Sequence, residues 1–312
     1  YRALSHAMVK YGVMTTSAIP ACAPEKTVFD TFVRKMIRLI QSPLRKILNK
    51  AFPFLPLPWV GVKPATVLLA GGERSILCDY PVSAHTTILW THALDYDLFL
   101  EEQSRPLRSS GRKTAVFLDE FMPFHPDYSY MGVPPPTTPE EYYPALCRLF
   151  DRLERECGIQ VLIAAHPCAQ YEDRSACFGG RPIYKGRTAE LVRHATLAIA
   201  HSSTSINFAV LYEKPVLFIT TTKLEQSSAT GPLIAGMSAW LKKVPLNLDG
   251  FQHVDWEKEF AVDKAAYARY REGYIKKAGT PQQPSWEIFS QYVRKEQEFP
   301  PSEKLQSEVA FL

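Results

Sequence analysis

The sequence predicts an α/β protein, and two observations carry that reading. Between residues 114 and 219, short apolar segments alternate with amphipathic ones, the rhythm of a parallel sheet with right-handed helical crossovers. Two of the apolar segments, 159–165 and 196–200, end in polar residues and lead towards helices. His166 and Pro167 follow the first, and the run from His201 to Ser205 follows the second. Ligands of open α/β sheets sit outside such strand ends. Function is therefore expected within residues 159–220.

Composition sets the bounds. At 312 residues the chain is long enough for two domains of ordinary size. Hydrophobic and charged fractions of 46% and 22% are globular values. No apolar run approaches the roughly 20 residues of a membrane-spanning helix. A net charge of +4 is too mild to argue for nucleic acid. The six cysteines (22, 78, 147, 157, 168 and 177) form no CxxC pair and no metal-like grouping. That pattern reads as a reducing, cytoplasmic compartment and no zinc, with Cys147 and Cys157 as buried thiols. No metal is expected, and Asp95-Tyr96-Asp97 is the one triplet that keeps a metal-dependent route open. The chain begins at Tyr1 without a basic-then-apolar leader, which fits a trimmed N-terminus.

The elements follow in order. Residues 3–11 suggest a short helix, and 13–16 a strand. From 27 to 51, Phe32, Met36, Ile37, Ile40, Leu44, Ile47 and Leu48 recur at helical spacing, with Pro43 dividing the segment. Arg34, Lys35, Arg38, Arg45, Lys46 and Lys50 lie between them, and a proline-rich apolar run, 52–59, ends in Trp59. Residues 32–59 thus read as a patch resting on the inner face of an anionic membrane, or as a surface helix with a connector. Strands are expected at 66–70 and 86–90, the first followed by Gly71 and Gly72. The polar stretch 101–113 is the expected boundary, giving domains 1–107 and 108–312.

Beyond it, 114–118 is a strand running into Asp119 and Glu120, then a long loop that includes His125 and Pro126. The helix from 139 is the best defined in the chain. Thr138 can cap it, Pro139 suits its first turn, Glu140 and Glu141 complement its dipole, and Gly158 stops it. Leu146, Leu149, Phe150 and Leu153 form its buried stripe. Residues 188–194 read as a short helix, and 214–219 as a strand. Terminal helices are expected at 255–275 and 284–297.

Three features could carry chemistry. His166 is either an ordinary loop histidine or a donor to a phosphate oxygen. Ser202, Ser203, Thr204 and Ser205 exceed what helix capping requires and suit a phosphate. Glu190 either complements a helix dipole or accepts from a ribose diol. Lys185 and Arg187 add positive charge nearby.

In that order the three features resemble the nucleotide-binding half of GT-B glycosyltransferases. The resemblance covers residues 114–220 and is greatest to bacterial sialyltransferase and capsule-type enzymes that use CMP-activated sugars. It implies two Rossmann-like domains facing a cleft, an N-terminal acceptor domain and a C-terminal nucleotide-sugar domain. It further implies that His166, Pro167, Ser202, Ser203 and Thr204 bind the CMP phosphate and that Glu190 binds the nucleoside, with Arg187 in support. The expected activity is transfer of a sialic-acid-like or Kdo-like sugar to a glycan or glycolipid acceptor, with no cofactor beyond the CMP-sugar donor. UDP-sugar epimerases and CDP-polyol phosphotransferases share the rhythm, and a non-catalytic scaffold is the alternative of another class. The N-terminal acidic motif of these sialyltransferases has no counterpart here. Asp119, Glu120, Asp95 and Asp97 are therefore the candidate bases.

Overall fold

The computed structural model describes residues 13–15, 64–76, 82–106, 111–171, 175–250 and 253–298. The basic segment 32–59 and the helix expected at 3–11 lie outside the described residues. Among the described residues, no helix is long and apolar enough to cross a membrane.

The described residues fall into two compact units, one formed by those up to Ala93 together with those from Lys276 onward, the other by those within Leu94–Ile275. The division thus falls before residue 94, whereas composition pointed to the polar stretch 101–113. The reason is α1 (Leu94–Gln103), a helix unforeseen in the sequence. It is tied to the second unit, where Arg193 donates to Glu102 and Asn207 to Asp95.

The first unit holds a parallel three-stranded sheet in the order β1 (Val13–Thr15), β2 (Val67–Ala70), β3 (Thr87–Trp90). The C-terminal segment, which the sequence reading grouped with the second domain, belongs to this unit. The Lys277 amide donates to Gly71 O, and the Lys277 ammonium sits 4.2 Å from the Trp90 ring centroid. His92 Nε2 donates to Gln283 O at 2.7 Å, while its Nδ1 faces the Ser285 hydroxyl at 3.2 Å. Ser285 opens the last described helix, Ser285–Glu298. Gly71 and Gly72 form a turn closed by the Ser75 hydroxyl, which accepts from Gly71 N and donates to Gly72 O.

The second unit is one six-stranded parallel sheet with helical crossovers. Its strands are β4 (Thr114–Leu118), β5 (Gln160–Ala165), β6 (Ile183–Lys185), β7 (Leu197–Ala200), β8 (Val216–Thr220) and β9 (Leu246–Asn247). Their spatial order is β6-β5-β4-β7-β8-β9. The sheet grows outward one way from β4 through β5 and β6, then restarts on the other side of β4. That is the doubly wound order, and it opens a crevice where the direction reverses, between β4 and β7.

The connecting helices are α2 (Pro126–Met131), α3 (Pro139–Cys157), α4 (Thr188–His194), α5 (Ile206–Leu211), α6 (Thr222–Gln226), α7 (Gly231–Trp240), α8 (Trp256–Phe260) and α9 (Lys264–Tyr270). In α3 the residues Tyr142, Leu146, Leu149, Phe150 and Leu153 are wholly buried, a stripe recurring every three or four residues. Pro139 opens this helix, and Gly158, left-handed at φ 64°, ends it. The strands β4, β7 and β8 are buried along their whole length, as expected for a sheet covered on both faces. Cys147 and Cys157, expected to be buried, are only half-buried.

A buried chain of hydrogen bonds links α3 to the sheet. Tyr142 Oη lies 2.9 Å from His201 Nε2, and His201 Nδ1 lies 2.7 Å from Ile219 O. A carbonyl only accepts, so Nδ1 carries the proton and Nε2 accepts from the tyrosine. Burial holds His201 neutral, with its pKa pushed down to about 4.

The join between α6 and α7 is equally tight. A Cβ added at Gly231 would sit 2.3 Å from the Glu225 carbonyl oxygen, which is backbone and cannot swing aside. Gly231→Ala is expected to destabilise the protein by about 1–3 kcal/mol. Urea denaturation would measure this, and an unchanged midpoint would remove the argument.

Candidate functional site

Register explains which residues meet at the crevice. Phe117 on β4 pairs with Ile199 on β7, and Leu118 with Ala164 on β5. Continuing those ladders sets Glu120 level with Ser202 and brings Asp119 beside the start of the His166 turn. Both carboxylates leave the central strand between its two neighbours.

Asp119 is 3% exposed and satisfies three donors. Its Oδ1 accepts from Phe121 N at 2.9 Å, and its Oδ2 accepts from Tyr171 Oη at 2.8 Å and His166 N at 3.3 Å. Burial pushes its pKa up, and those same three donors oppose the shift. Phe121 takes the left-handed φ of 52°, costly for a residue with a Cβ, and the Asp119 bond fixes it there. Glu120 accepts from Ser202 N at 2.7 Å and from Ser202 Oγ at 2.8 Å, which joins β4 to β7 across the crevice. Burial of the carboxylate raises its pKa to about 7 against those two bonds, helped by the charge of Asp119.

A cleft of about 530 Å³ opens above this floor. It is lined by Asp95, Asp119, His166, Pro167, Arg187, Glu190, Ser203 and Thr204 among others, eight of the eleven residues singled out in the sequence. Its size is that of small-molecule sites in general. The remaining three stand apart from the lining. Ser202 and Glu120 are occupied with one another beneath it. Asp97, two residues beyond Asp95 on α1, faces a different side of the helix.

His166 has a defined tautomer. Cys168 N donates to its Nδ1 at 3.2 Å, so the neutral ring carries its proton on Nε2 and offers that N–H outward. Burial lowers its pKa, helped by His125. His125 repeats the device, accepting from Asp127 N at 3.2 Å, and the two rings meet edge to face with centroids 4.8 Å apart. The two His-Pro dipeptides, 41 positions apart in sequence, form one imidazole pair.

The serine run is a turn ahead of α5 rather than a set of caps. Ser203 Oγ accepts from Ser205 N at 3.3 Å, and Ser205, the cap residue, makes no capping bond of its own. Ser203 is half-buried and Thr204 exposed. Arg187 grips Glu190 through two bonds, Nε–Oε2 at 2.8 Å and Nη2–Oε1 at 2.6 Å, and stacks over Tyr184 at 5.0 Å. Lys185, a candidate for charge beside a phosphate, instead donates to Ala169 O and braces the turn after His166.

Four contributors escaped the sequence reading. Tyr171 reaches Asp119 across 52 positions, a contact no local pattern announces. Arg105 and Glu101, on the cleft wall, come from the polar stretch taken for a linker. Asn207 did leave a trace, as a lone polar residue on the buried face of the otherwise apolar α5. Among the described residues, no group of three or more His, Cys, Asp or Glu could hold a metal.

The burial of Glu120 has a consequence for stability. Its folded pKa of about 7 lies above the ordinary 4.5, so the folded state binds more protons between those values. Its contribution to stability is fully present below pH 4.5 and is lost as pH rises through 7. Relative to Glu120→Gln, the unmodified protein should lose roughly 3 kcal/mol over that interval. Urea midpoints of both proteins at a series of pH values would test this, and parallel curves would contradict it.

No protein-family model matches this sequence, and no curated protein matches it. Several solved structures align with most of the chain. The glycotransferase of kitacinnamycin shares 11% identity over 87% of this chain and 70% of its own, with a TM-score of 0.43. The wall teichoic acid polymerase TagF shares 11% identity over 90% of this chain and 63% of its own, with a TM-score of 0.44. A UDP-GlcNAc 2-epimerase from Neisseria meningitidis, bound to UDP-GlcNAc, shares 11% identity over 94% of this chain and 80% of its own, with a TM-score of 0.39.

Proposed function

We propose that the chain is a glycosyltransferase of the GT-B type, moving a sialic-acid-like or Kdo-like sugar from a CMP-activated donor to a glycan acceptor. One observation carries this reading. The His-Pro turn, the serine-rich turn and the Arg187–Glu190 pair, spread over some forty residues of sequence, all line a single cleft at the strand-order reversal. The donor phosphate takes the Nε2–H of His166 and the hydroxyls of Ser203 and Thr204. The ribose diol donates to Glu190, whose orientation Arg187 holds.

The base is Asp95. Of the four carboxylates weighed, Asp119 already satisfies three donors, Glu120 is held by Ser202 N and Oγ, and neither Glu120 nor Asp97 lines the cleft. Asp95 lines the cleft, with its Oδ2 accepting from Asn207 Nδ2 at 2.7 Å. Burial raises its pKa, and the Asn207 bond opposes the rise. Such a carboxylate is a stronger proton acceptor than a solvated one. The acceptor hydroxyl gives its proton to Asp95 as its oxygen bonds to the anomeric carbon. The bond from that carbon to the phosphate oxygen breaks, and its electron pair leaves with CMP. His166 and the serine turn stabilise that developing charge.

A donor panel tests the reading. Release of CMP from CMP-sugars is the expected outcome, whereas turnover confined to UDP-sugars or CDP-polyols would redirect it to an epimerase or a polyol-phosphate transferase. Binding without turnover of any donor would indicate a scaffold. Asp95→Asn should lower kcat about 10²–10⁴-fold with KM for the donor little changed. His166→Ala should lower kcat/KM about 10–100-fold, as expected for one lost donor to a charged oxygen. Full activity in Asp95→Asn would reassign the base.

A further inference from the structure

Asn207 occupies the second position of α5 and is 8% exposed. Its Nδ2 donates to Asp95, yet its buried Oδ1 finds no hydrogen-bond partner among the described residues. A buried amide oxygen left unpaired is costly, and native structures retain few of them without a reason. The Tyr270 hydroxyl is another buried polar atom without a partner, and the charge of Asp95 acts on it. The arginines that share the cleft wall with Asp95 are paired with other acids, Arg105 with Glu101 and Glu102 and Arg187 with Glu190, and Arg193 on α4 pairs with Glu102. On α1 itself the neighbouring acids are Asp97, Glu101 and Glu102. Among the described residues, the Asn207 amide is therefore the polar group bonded to Asp95.

An asparagine amide carries a donor and an acceptor on the two arms of one fork. Turned over by half a rotation, it presents Oδ1 where Nδ2 stood. An ionised Asp95 needs a donor, and a protonated Asp95 needs an acceptor. The single side chain supplies both, and its unpaired Oδ1 is the arm held in reserve.

We propose that Asn207 is a positioning residue for Asp95, donating to the ionised carboxylate and turning over to accept from the protonated one. Asp95 can then take up a proton and release it without leaving its place in the cleft wall. The catalytic consequence rests on Asp95 serving as the base in the reaction proposed above. The coupling between the two side chains does not.

The sign follows from the geometry. Asn207→Leu removes both bonds, and the one to the ionised carboxylate is the stronger, so Asp95 should titrate at higher pH. The expected rise in Asn207→Leu is about one pH unit, the excess of a hydrogen bond to a charged group over one to a neutral group. Asn207→Asp should raise it further by placing a like charge against it. Carboxyl carbon NMR reads this without substrate, with the Asp95 signal identified by its loss in Asp95→Asn. The acidic limb of the pH profile of kcat/KM should move by the same amount. Asn207→Ala serves as the second variant should the leucine disturb folding, as judged by circular dichroism. An Asp95 midpoint unchanged in the folded variant overturns the proposal. A midpoint that moves while the kinetic limb stays still upholds the coupling and removes Asp95 as the base.

Discussion

Two adjacent carboxylates leave the central strand of the larger unit, one buried and the other half-buried. Their charge must be met by the protein, and the ends of the flanking strands meet it. Asp119 takes the backbone amide that opens the His166 turn, and Glu120 takes both the amide and the hydroxyl of Ser202. An unmet buried charge costs several kcal/mol, so these two turns are not free to wander. The shape of the cleft floor is thereby set from below. His166 and Ser203 can present their polar atoms upward because their neighbours are anchored to the strand between them.

This arrangement separates residues that hold the site from those that face it. In sequence Asp119 and Glu120 look like catalytic acids at the end of a strand, because that is where such acids occur. In the fold one serves three donors and the other is held by the amide and hydroxyl of Ser202. The carboxylate left with a single described bond, Asp95, comes from a helix that composition had assigned to another domain. Nearness to a strand end is therefore a weaker guide to a base than the number of donors already served.

Much of the fold was legible in the sequence. The alternation after residue 114 located the strands within a residue or two, and the proline and glycine of α3 marked both its ends, although Thr138 makes no capping bond and donates to Glu141 instead. Periodicity is a local property, and these elements obey it. The strand order became visible only through pairing, which local pattern does not encode. The short strands β6 and β9, of three and two residues, carry too little pattern to stand out. Helix α1 was missed because its hydrophobic residues do not gather on one face. Leu94 and Leu98 are exposed, while Glu102 is buried through its bonds to Arg105 and Arg193. Of the site, the parts readable from residue type were found: the histidine turn, the serine turn, the Arg187–Glu190 neighbourhood. The parts that depend on distant partners, Tyr171 and Asn207 foremost, required the fold.

The left-handed Phe121 shows how narrowly the entrance to this site is specified. Glycine would take that backbone angle freely but would surrender the ring that packs on Phe124 and Tyr171, at centroid distances of 5.4 and 5.5 Å. A branched side chain would keep the bulk but raise the strain. The position asks for an aromatic ring and a glycine-like backbone at once, and no residue type is good at both. Phenylalanine meets the first demand and leaves the second to Asp119. Sequence drift at residue 121 is thus coupled to residue 119, and through it to the direction in which the chain departs towards His125.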